Sequence, residues 1–171
     1  MRKIFSFINE KRKKIQRKII YQDILKINPK KILDDGGGIN GSFDYNEFKD
    51  KIVSSDILQG IDCQSLPYKN NQFDCVIFAG VIQYIENPDK AMKEVCRVLK
   101  PKGHLILATI NKHSLIKKIT GFKEEKQAYT LKEFKSLAEK YGFNVLDEKI
   151  LDFWFIPRKY KMGLYLVCKK I

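Results

Sequence analysis

An apolar strand running straight into a glycine cluster limits the folds open to this chain more than any other feature. In "KILDDGGGINGSF" (Lys31 to Phe43) the apolar Ile32 and Leu33 lead through Asp34 and Asp35 into glycines, and Gly36, Gly38 and Gly41 fit G-x-G-x-x-G. That spacing belongs to the tight turn after a strand in sheets that bind nucleotide-like ligands at their carboxyl edge. Alone it is weak, because any such turn needs glycine. The rest of the chain must supply the sheet.

It does. "KIVSSD" reads as a second strand ending at Asp56, and "ILQGID" as a third ending at Asp62. "FDCVIFAG" is a near-continuous apolar run, expected of a central parallel strand covered on both faces. Asn87-Pro88 opens a helix through Leu99 whose Ala91, Met92, Val95, Val98 and Leu99 form one stripe. "HLILATI" follows as a strand, Thr130 caps the helix "LKEFKSLAEKYG", and Gly142 stops it. "FNVLDEKIL" and "GLYLVCKK" are the closing, antiparallel strands, joined by "FWFIPRKY". Ser42 or Asp44 is placed to cap a short helix through Lys49. Alternating strands and helices predict one α/β domain with a mainly parallel sheet. Before it, Ile4, Ile8, Ile15 and Ile19 recur at helical spacing, and "IIYQDILKI" forms a second helical stretch ending before Asn28-Pro29. Residues 1–27 are therefore a basic helical segment and residues 28–171 the domain.

Composition narrows the function classes. A length of 171 residues suits one domain, and no apolar run approaches ~18 residues. The N-terminus interrupts its apolar positions with charge and lacks a small-residue cleavage site, unlike a signal peptide. Four cysteines (Cys63, Cys75, Cys96, Cys168) form no C-x-x-C pair and there are two histidines, so no metal site is expected. Cys75 and Cys168 sit in apolar runs and read as buried thiols, which points to a reduced, cytoplasmic setting. The net charge of +13 peaks at "KRKKIQRK" (Lys11 to Lys18). That segment is either a solvated surface or a patch for an anionic membrane, RNA or an acidic substrate.

Two carboxylates beside the glycines decide between ligands. A pyrophosphate at this turn would be repelled by Asp34 and Asp35. S-adenosylmethionine carries a sulfonium and an α-ammonium instead, and carboxylates favour both. Asp56 is placed for ribose hydroxyls in either case. Asp62 suits the exocyclic amine of adenine, with the next backbone N–H facing a ring nitrogen. A NAD-linked oxidoreductase accordingly falls behind.

The run from Lys31 to Thr109 resembles a class I S-adenosylmethionine-dependent methyltransferase of the type 11 kind, a group that includes quinone-biosynthesis and many small-molecule methyltransferases. The family's L-D-x-G-x-G is matched by Leu33, Asp34, Gly36 and Gly38. Its strand-end acid followed by L-P is matched by Asp62, Cys63, Leu66 and Pro67, and its F-D-x-V by Phe73, Asp74 and Val76. "NPDKAMKEVCRVLKPKG" and "YTLKEFKSLAEKYGF" are similar to the family's later features. The resemblance implies a single-domain Rossmann-like methyltransferase fold that binds S-adenosyl-L-methionine through Asp34, Gly36, Gly38, Asp56, Asp62, Cys63, Phe78 and Ala79. In the family, a helix before the glycine motif often closes over the cofactor, so residues 1–27 are either lid or surface patch. Departures are Asn40 after the second glycine, a helix between strands two and three that is nearly absent, and Gln83-Tyr84 where histidine is usual.

For the chemistry, methyl transfer is an in-line displacement in which the protein positions and desolvates its reactants. A hydroxyl acceptor benefits from a general base within hydrogen-bond reach. The catalytic candidates are His113 and Tyr84, against plain alternatives of a solvated loop histidine and a lid aromatic. His104 starts a strand at the opposite edge and is structural. No N-P-P-Y turn is present, and no Pro-Cys or Thr-Cys pair offers a nucleophile for cytosine C5, since Cys75 lies mid-strand. Trp154 is either a substrate-pocket wall or packing between the last strands. The expected function is methylation of a small-molecule or lipid- or sugar-linked metabolite. An RNA methyltransferase and a non-catalytic module of the same fold are the alternatives.

Overall fold

The computed structural model describes residues 2–38, 41–115, 118, 126–151 and 161–171, with side chains from Glu10 onward. Asn40, Trp154 and the segment "FWFIPRKY" lie outside the described residues, as do the side chains of Ile4 and Ile8. A helix α1 (Arg2–Ile27) precedes β1 (Ile32–Asp35), β2 (Ile52–Ser55), β3 (Phe73–Ala79), α2 (Pro88–Val98), β4 (Leu99–Ile110), α3 (Leu131–Lys140), β5 (Phe143–Leu151) and β6 (Gly163–Lys170). The six strands form one sheet in the order β2-β1-β3-β4-β6-β5. Pairing is parallel from β2 through β4, and β6 runs antiparallel to both of its neighbours. The chain leaves β1 for β2 on one side and returns through β3 on the other. The topological switch therefore lies between the carboxyl ends of β1 and β3, where open α/β sheets bind ligands.

Local chemistry sets these elements. Asn87 accepts from the Lys90 N–H at 3.1 Å with Pro88 in the first turn of α2, and Thr130 and Glu133 form a reciprocal capping box on α3. The apolar stripes of α2 and α3, with Met92, Val95 and Phe134 at their centre, cover one face of the sheet. On the other face, Ile20 and Ile24 of α1 are wholly buried against Ile32, Ile77 and Ile106. Each such isoleucine contributes roughly 1.5–3 kcal/mol. A buried polar clamp holds the same helix, in which Asp23 accepts from the Tyr165 hydroxyl at 2.8 Å and from Lys149 Nζ at 3.1 Å. Cys75 and Cys168 are both buried in the sheet, as their apolar runs predict.

Four local expectations are corrected. The N-terminal region is one continuous helix, with no break before "IIYQDILKI". Its buried stripe is Arg12, Gln16, Ile20, Asp23 and Ile24, whereas Ile15 is 39% exposed, so the inward face is rotated from the isoleucine pattern and Arg12 is not a solvated charge. "ILQGID" is not a strand: Asp56 accepts from the Leu58 N–H at 2.9 Å and caps a 3₁₀ turn (Ile57–Gln59) that Gly60 ends in the left-handed region. Ile57 and Leu58 are 70% and 75% exposed, so no neighbour covers the strand they would form. The helix expected from Ser42 to Lys49 is a series of turns, because Ser42 donates to Asp34 instead of capping and Asp44 closes a local turn onto the Asn46 N–H. The connection between Asp56 and Ile61 is short, as the sequence implies. No described helix is long and apolar enough to cross a membrane.

Candidate functional site

At the switch point the β1 carboxyl end turns sharply through glycines that the surroundings demand. Gly36 has φ +83°, and a Cβ there would stand 2.0 Å from Val81 Cγ2. At Gly37 a Cβ would meet Asp34 Oδ2 at 2.5 Å. The middle position of the G-x-G pair is thus also sterically committed, which the motif alone does not reveal. Gly36 N–H bonds to the Ser55 carbonyl at 2.7 Å, tying the turn to β2.

Asp34 and Asp35 point to opposite sides of β1, as successive strand residues must. Asp34 faces the loop, where it accepts from the Ser42 N–H at 2.7 Å, the Ser42 hydroxyl at 2.6 Å and the Tyr45 hydroxyl. Burial pushes its carboxyl up, against the lowering effect of those hydrogen bonds. It organises the turn and lines neither lobe of the cleft. Asp35 lines the cleft. One of its oxygens accepts from the Ser55 hydroxyl at 2.8 Å, and Oδ2 is buried with no hydrogen-bond partner among the described residues. Burial, with further contributions from the Asp34, Asp56 and Asp62 charges, lifts its carboxyl to about 7.

The cleft has two lobes that meet at Gly36, Gly80 and Tyr84. The larger, about 510 Å³, is acidic: Asp35, Asp56, Asp62 and Glu86 line it, with Lys126 paired to Glu86 at 2.7 Å. Asp56 spends one oxygen on the Leu58 N–H and the other on the Gly38 N–H at 3.1 Å. A loop N–H that would serve a phosphate therefore already serves a carboxylate. Asp62 accepts from the Gln64 N–H at 2.8 Å at the mouth of the lobe. Cys63 lies beside it, its thiol pushed up to about 12 by burial and then by Asp35 and Asp62. A nucleoside bearing a cationic tail fits this donor and charge set, and a pyrophosphate does not. The smaller lobe, about 240 Å³, is bounded by the glycine loop, Ala79, Gln83 and the inner stripe of α1.

The structure thus gathers Gly36, Gly38, Asp56, Asp62, Cys63, Ala79 and Tyr84 about one cleft. Phe78 is not among them, since its side chain is wholly buried in the sheet core. His113 lines neither lobe; its backbone N–H donates to Asn111 Oδ1 at 3.1 Å. His104 lies at the opposite edge beside Pro29 and Lys102, as expected of a structural residue. Tyr84 is 44% exposed and borders both lobes. Three contributors were missed in the sequence. Gln83 is buried, donates to the Gly80 carbonyl at 2.9 Å and accepts from Thr109 at 3.0 Å, fixing the turn after β3. Val81 closes over Gly36, and Arg12 reaches the smaller lobe from α1. The family's histidine-containing segment draws attention to Gln83 without giving its role in the turn, and nothing local marks Arg12.

Comparison with known proteins agrees with this geometry. A methyltransferase-domain family model, of type 11, matches residues 43–107. An uncharacterized protein of Methanocaldococcus jannaschii is 32% identical over 127 residues, covering 73% of this chain and 51% of its own length. The ubiquinone/menaquinone biosynthesis C-methyltransferase UbiE of Pseudomonas aeruginosa is 33% identical over 95 residues, 56% of this chain and 31% of the relative. This chain thus spans about half, or less, of the length of these curated relatives. Among solved structures, a Burkholderia thailandensis 1,6-didemethyltoxoflavin-N1-methyltransferase, crystallised with S-adenosylhomocysteine, superposes with a TM-score of 0.62 at 13% identity, over 86% of this chain and 74% of that one. The glycine turn, the strand-end acids and the sheet order agree with the family-model match, and the chain carries a methyltransferase domain of the type 11 family.

Proposed function

We propose that this chain binds S-adenosylmethionine in the acidic lobe and transfers its methyl group to a small-molecule acceptor, a class that includes lipid- and sugar-linked metabolites. The observation that carries the reading is the acid-lined lobe at the switch point, in which Asp56 engages a glycine-loop N–H that a phosphate ligand would need. When bound, the cofactor supplies a methyl group already activated by the sulfonium. The chain's own residues do the rest. Asp56 accepts from the ribose hydroxyls and Asp62 from the adenine amine, with the Cys63 backbone beside it. Asp34 keeps the loop closed through Ser42 and Tyr45. Asp35 presents a carboxylate to the cationic part of the ligand. Tyr84, at the junction of the lobes, is the residue best placed to meet the acceptor, whereas His113 lacks that position.

Calorimetry with S-adenosylhomocysteine and NADH side by side tests the cofactor. Binding of the first and not of the second is expected, and the opposite preference would return the glycine motif to a dinucleotide. Asp56→Ala and Asp62→Ala should each weaken S-adenosylhomocysteine binding by roughly 1–3 kcal/mol. Dissociation constants within about twofold of wild type for both would remove the assignment.

A further inference from the structure

The amino edge of the parallel strands, at the end of the sheet opposite the cofactor cleft, carries a separate groove of about 390 Å³. It opens between the α1–β1 connection, with Pro29 and Lys30, and the start of β4, with Lys100, Lys102 and His104. Asp74 is the one carboxylate that lines it among the described residues. We propose that this groove binds a small ligand carrying two or more phosphate groups, held by Lys30, Lys100 and Lys102. The proposal is independent of the methyltransferase reading, because the seven-residue β3, roughly 23 Å long, separates the groove from the cleft.

Local structure builds the groove and leaves its charge uncompensated. β3 and β4 pair Phe73 with Leu99 and then Cys75 with His104, so Lys100 to Gly103 loop out opposite Asp74 alone. The loop is tightly packed at its base: a Cβ on Gly103 would stand 2.7 Å from Leu99 Cδ2 and 2.9 Å from the Lys100 carbonyl oxygen. Lys102 has φ +61°, a left-handed conformation that favours glycine and that a lysine adopts at a cost. On the facing side Asn28, at φ +47°, ends α1, and Pro29 stiffens the approach to Lys30. Asp74 has nothing left to offer the other cations. Its Oδ2 accepts from the Lys31 N–H at 2.9 Å and its Oδ1 from Lys100 Nζ at 2.8 Å. Lys30, Lys102 and Lys169 form no ion pair among the described residues. Lys169 stands opposite His104 in the β4–β6 register, and burial, followed by the Lys169 charge, holds the imidazole below its ordinary value.

Residue type and spacing identify the ligand class. Lysine ammonium groups are point charges that suit a tetrahedral phosphate, whereas a carboxylate is matched best by a guanidinium fork. No arginine lines the groove among the described residues. Lys30 leads into β1 and Lys102 into the pairing of β4 two strands away, roughly 10 Å at the ordinary strand spacing. A single phosphate meets one end of that span, and a chain of two or three meets both. No Phe, Tyr or Trp lines the groove among the described residues, so it lacks the stacking platform of a site for single-stranded nucleic acid.

The test titrates tripolyphosphate into the whole chain at about 0.1 M salt, reading the imidazole NMR signals of its two histidines. The His104 signal should move and its titration midpoint should rise, because a bound anion favours the imidazolium. His113, beyond the other end of β4, should do neither. By calorimetry tripolyphosphate should bind more tightly than orthophosphate. The double variant Lys30→Gln, Lys102→Gln should weaken it about tenfold, the effect of two partly exposed charge contacts together. A control on exposed lysines of α2 and α3, Lys90→Gln with Lys132→Gln, removes the same charge and should leave affinity within about twofold. Lys102→Gly escapes the left-handed cost, so it should raise the melting temperature while weakening tripolyphosphate. Equal losses in the two double variants would mean that net charge alone is read, and would overturn the proposal. So would an unmoved His104, orthophosphate as tight as tripolyphosphate, a Lys102→Gly variant with unchanged affinity, or displacement of tripolyphosphate by S-adenosylhomocysteine. Oligouridylate or phosphatidylserine vesicles bound more tightly per phosphate, and lost in the groove variant, would overturn the small-ligand assignment in favour of a macromolecular surface.

Discussion

Replacing Asp35 with asparagine should make the protein more stable at pH 8 and a poorer binder of S-adenosylmethionine. The residue is 1% exposed, its Oδ2 has no hydrogen-bond partner among the described residues, and three further acids act on it. Its folded-state value of about 7 stands about three pH units above the ordinary carboxyl value of 3.8. At about 1.36 kcal/mol per unit, ionising it in the fold costs up to about 4 kcal/mol. Because the folded value is the raised one, stability is full below about pH 4 and is lost as pH rises towards 7. The amide of the Asp35→Asn variant copies the protonated form and escapes that loss. Urea denaturation at pH 4 and pH 8 should therefore give nearly equal stabilities for the two proteins at the lower pH and a gap of up to about 4 kcal/mol in favour of Asp35→Asn at the higher. Ligand binding should run the other way. A sulfonium favours the ionised carboxylate, so wild-type affinity for S-adenosylmethionine should rise from pH 6 to pH 8 while that of the variant stays flat. S-adenosylhomocysteine, without the sulfonium, should show the smaller slope. Parallel stability profiles for the two proteins, or a wild-type affinity indifferent to pH, would refute the placement of Asp35 as a buried charge facing the cofactor.

Gly36→Ala should abolish cofactor binding and reduce folding yield, because its Cβ would overlap Val81 at a backbone angle alanine resists; circular dichroism and calorimetry together separate the two effects. Ile24→Ala should cost about 2–5 kcal/mol in urea denaturation, since this α1 side chain is wholly buried against the sheet. Tyr165→Phe should destabilise by about 1–3 kcal/mol, because Asp23 loses one of its buried donors. A loss in either variant indistinguishable from that of an exposed control such as Leu58→Ala would mean that α1 is not docked on the sheet as described.

Much of this protein is determined locally and was legible in the sequence. The glycine turn, the caps of α2 and α3, the apolar central strand and the closing strands depend on neighbours a few residues apart, and residue type and spacing specify them. The strand-end position of Asp56 follows from the same logic. What a side chain faces is decided elsewhere. Alternation along β1 requires Asp34 and Asp35 to point apart, but only the packing of the Ser42–Tyr45 loop determines that Asp34 binds the loop and Asp35 the cleft. The Ile4, Ile8, Ile15 and Ile19 pattern makes α1 amphipathic, yet the sheet fixes its rotation, burying Arg12 and Gln16 while leaving Ile15 partly wet. "ILQGID" carries strand-forming residues and becomes a turn, because a strand needs a partner and a covering layer and neither is supplied at that edge. Spacing acts within a segment; burial and charge compensation act between segments distant in the chain, so only the tertiary structure assigns them.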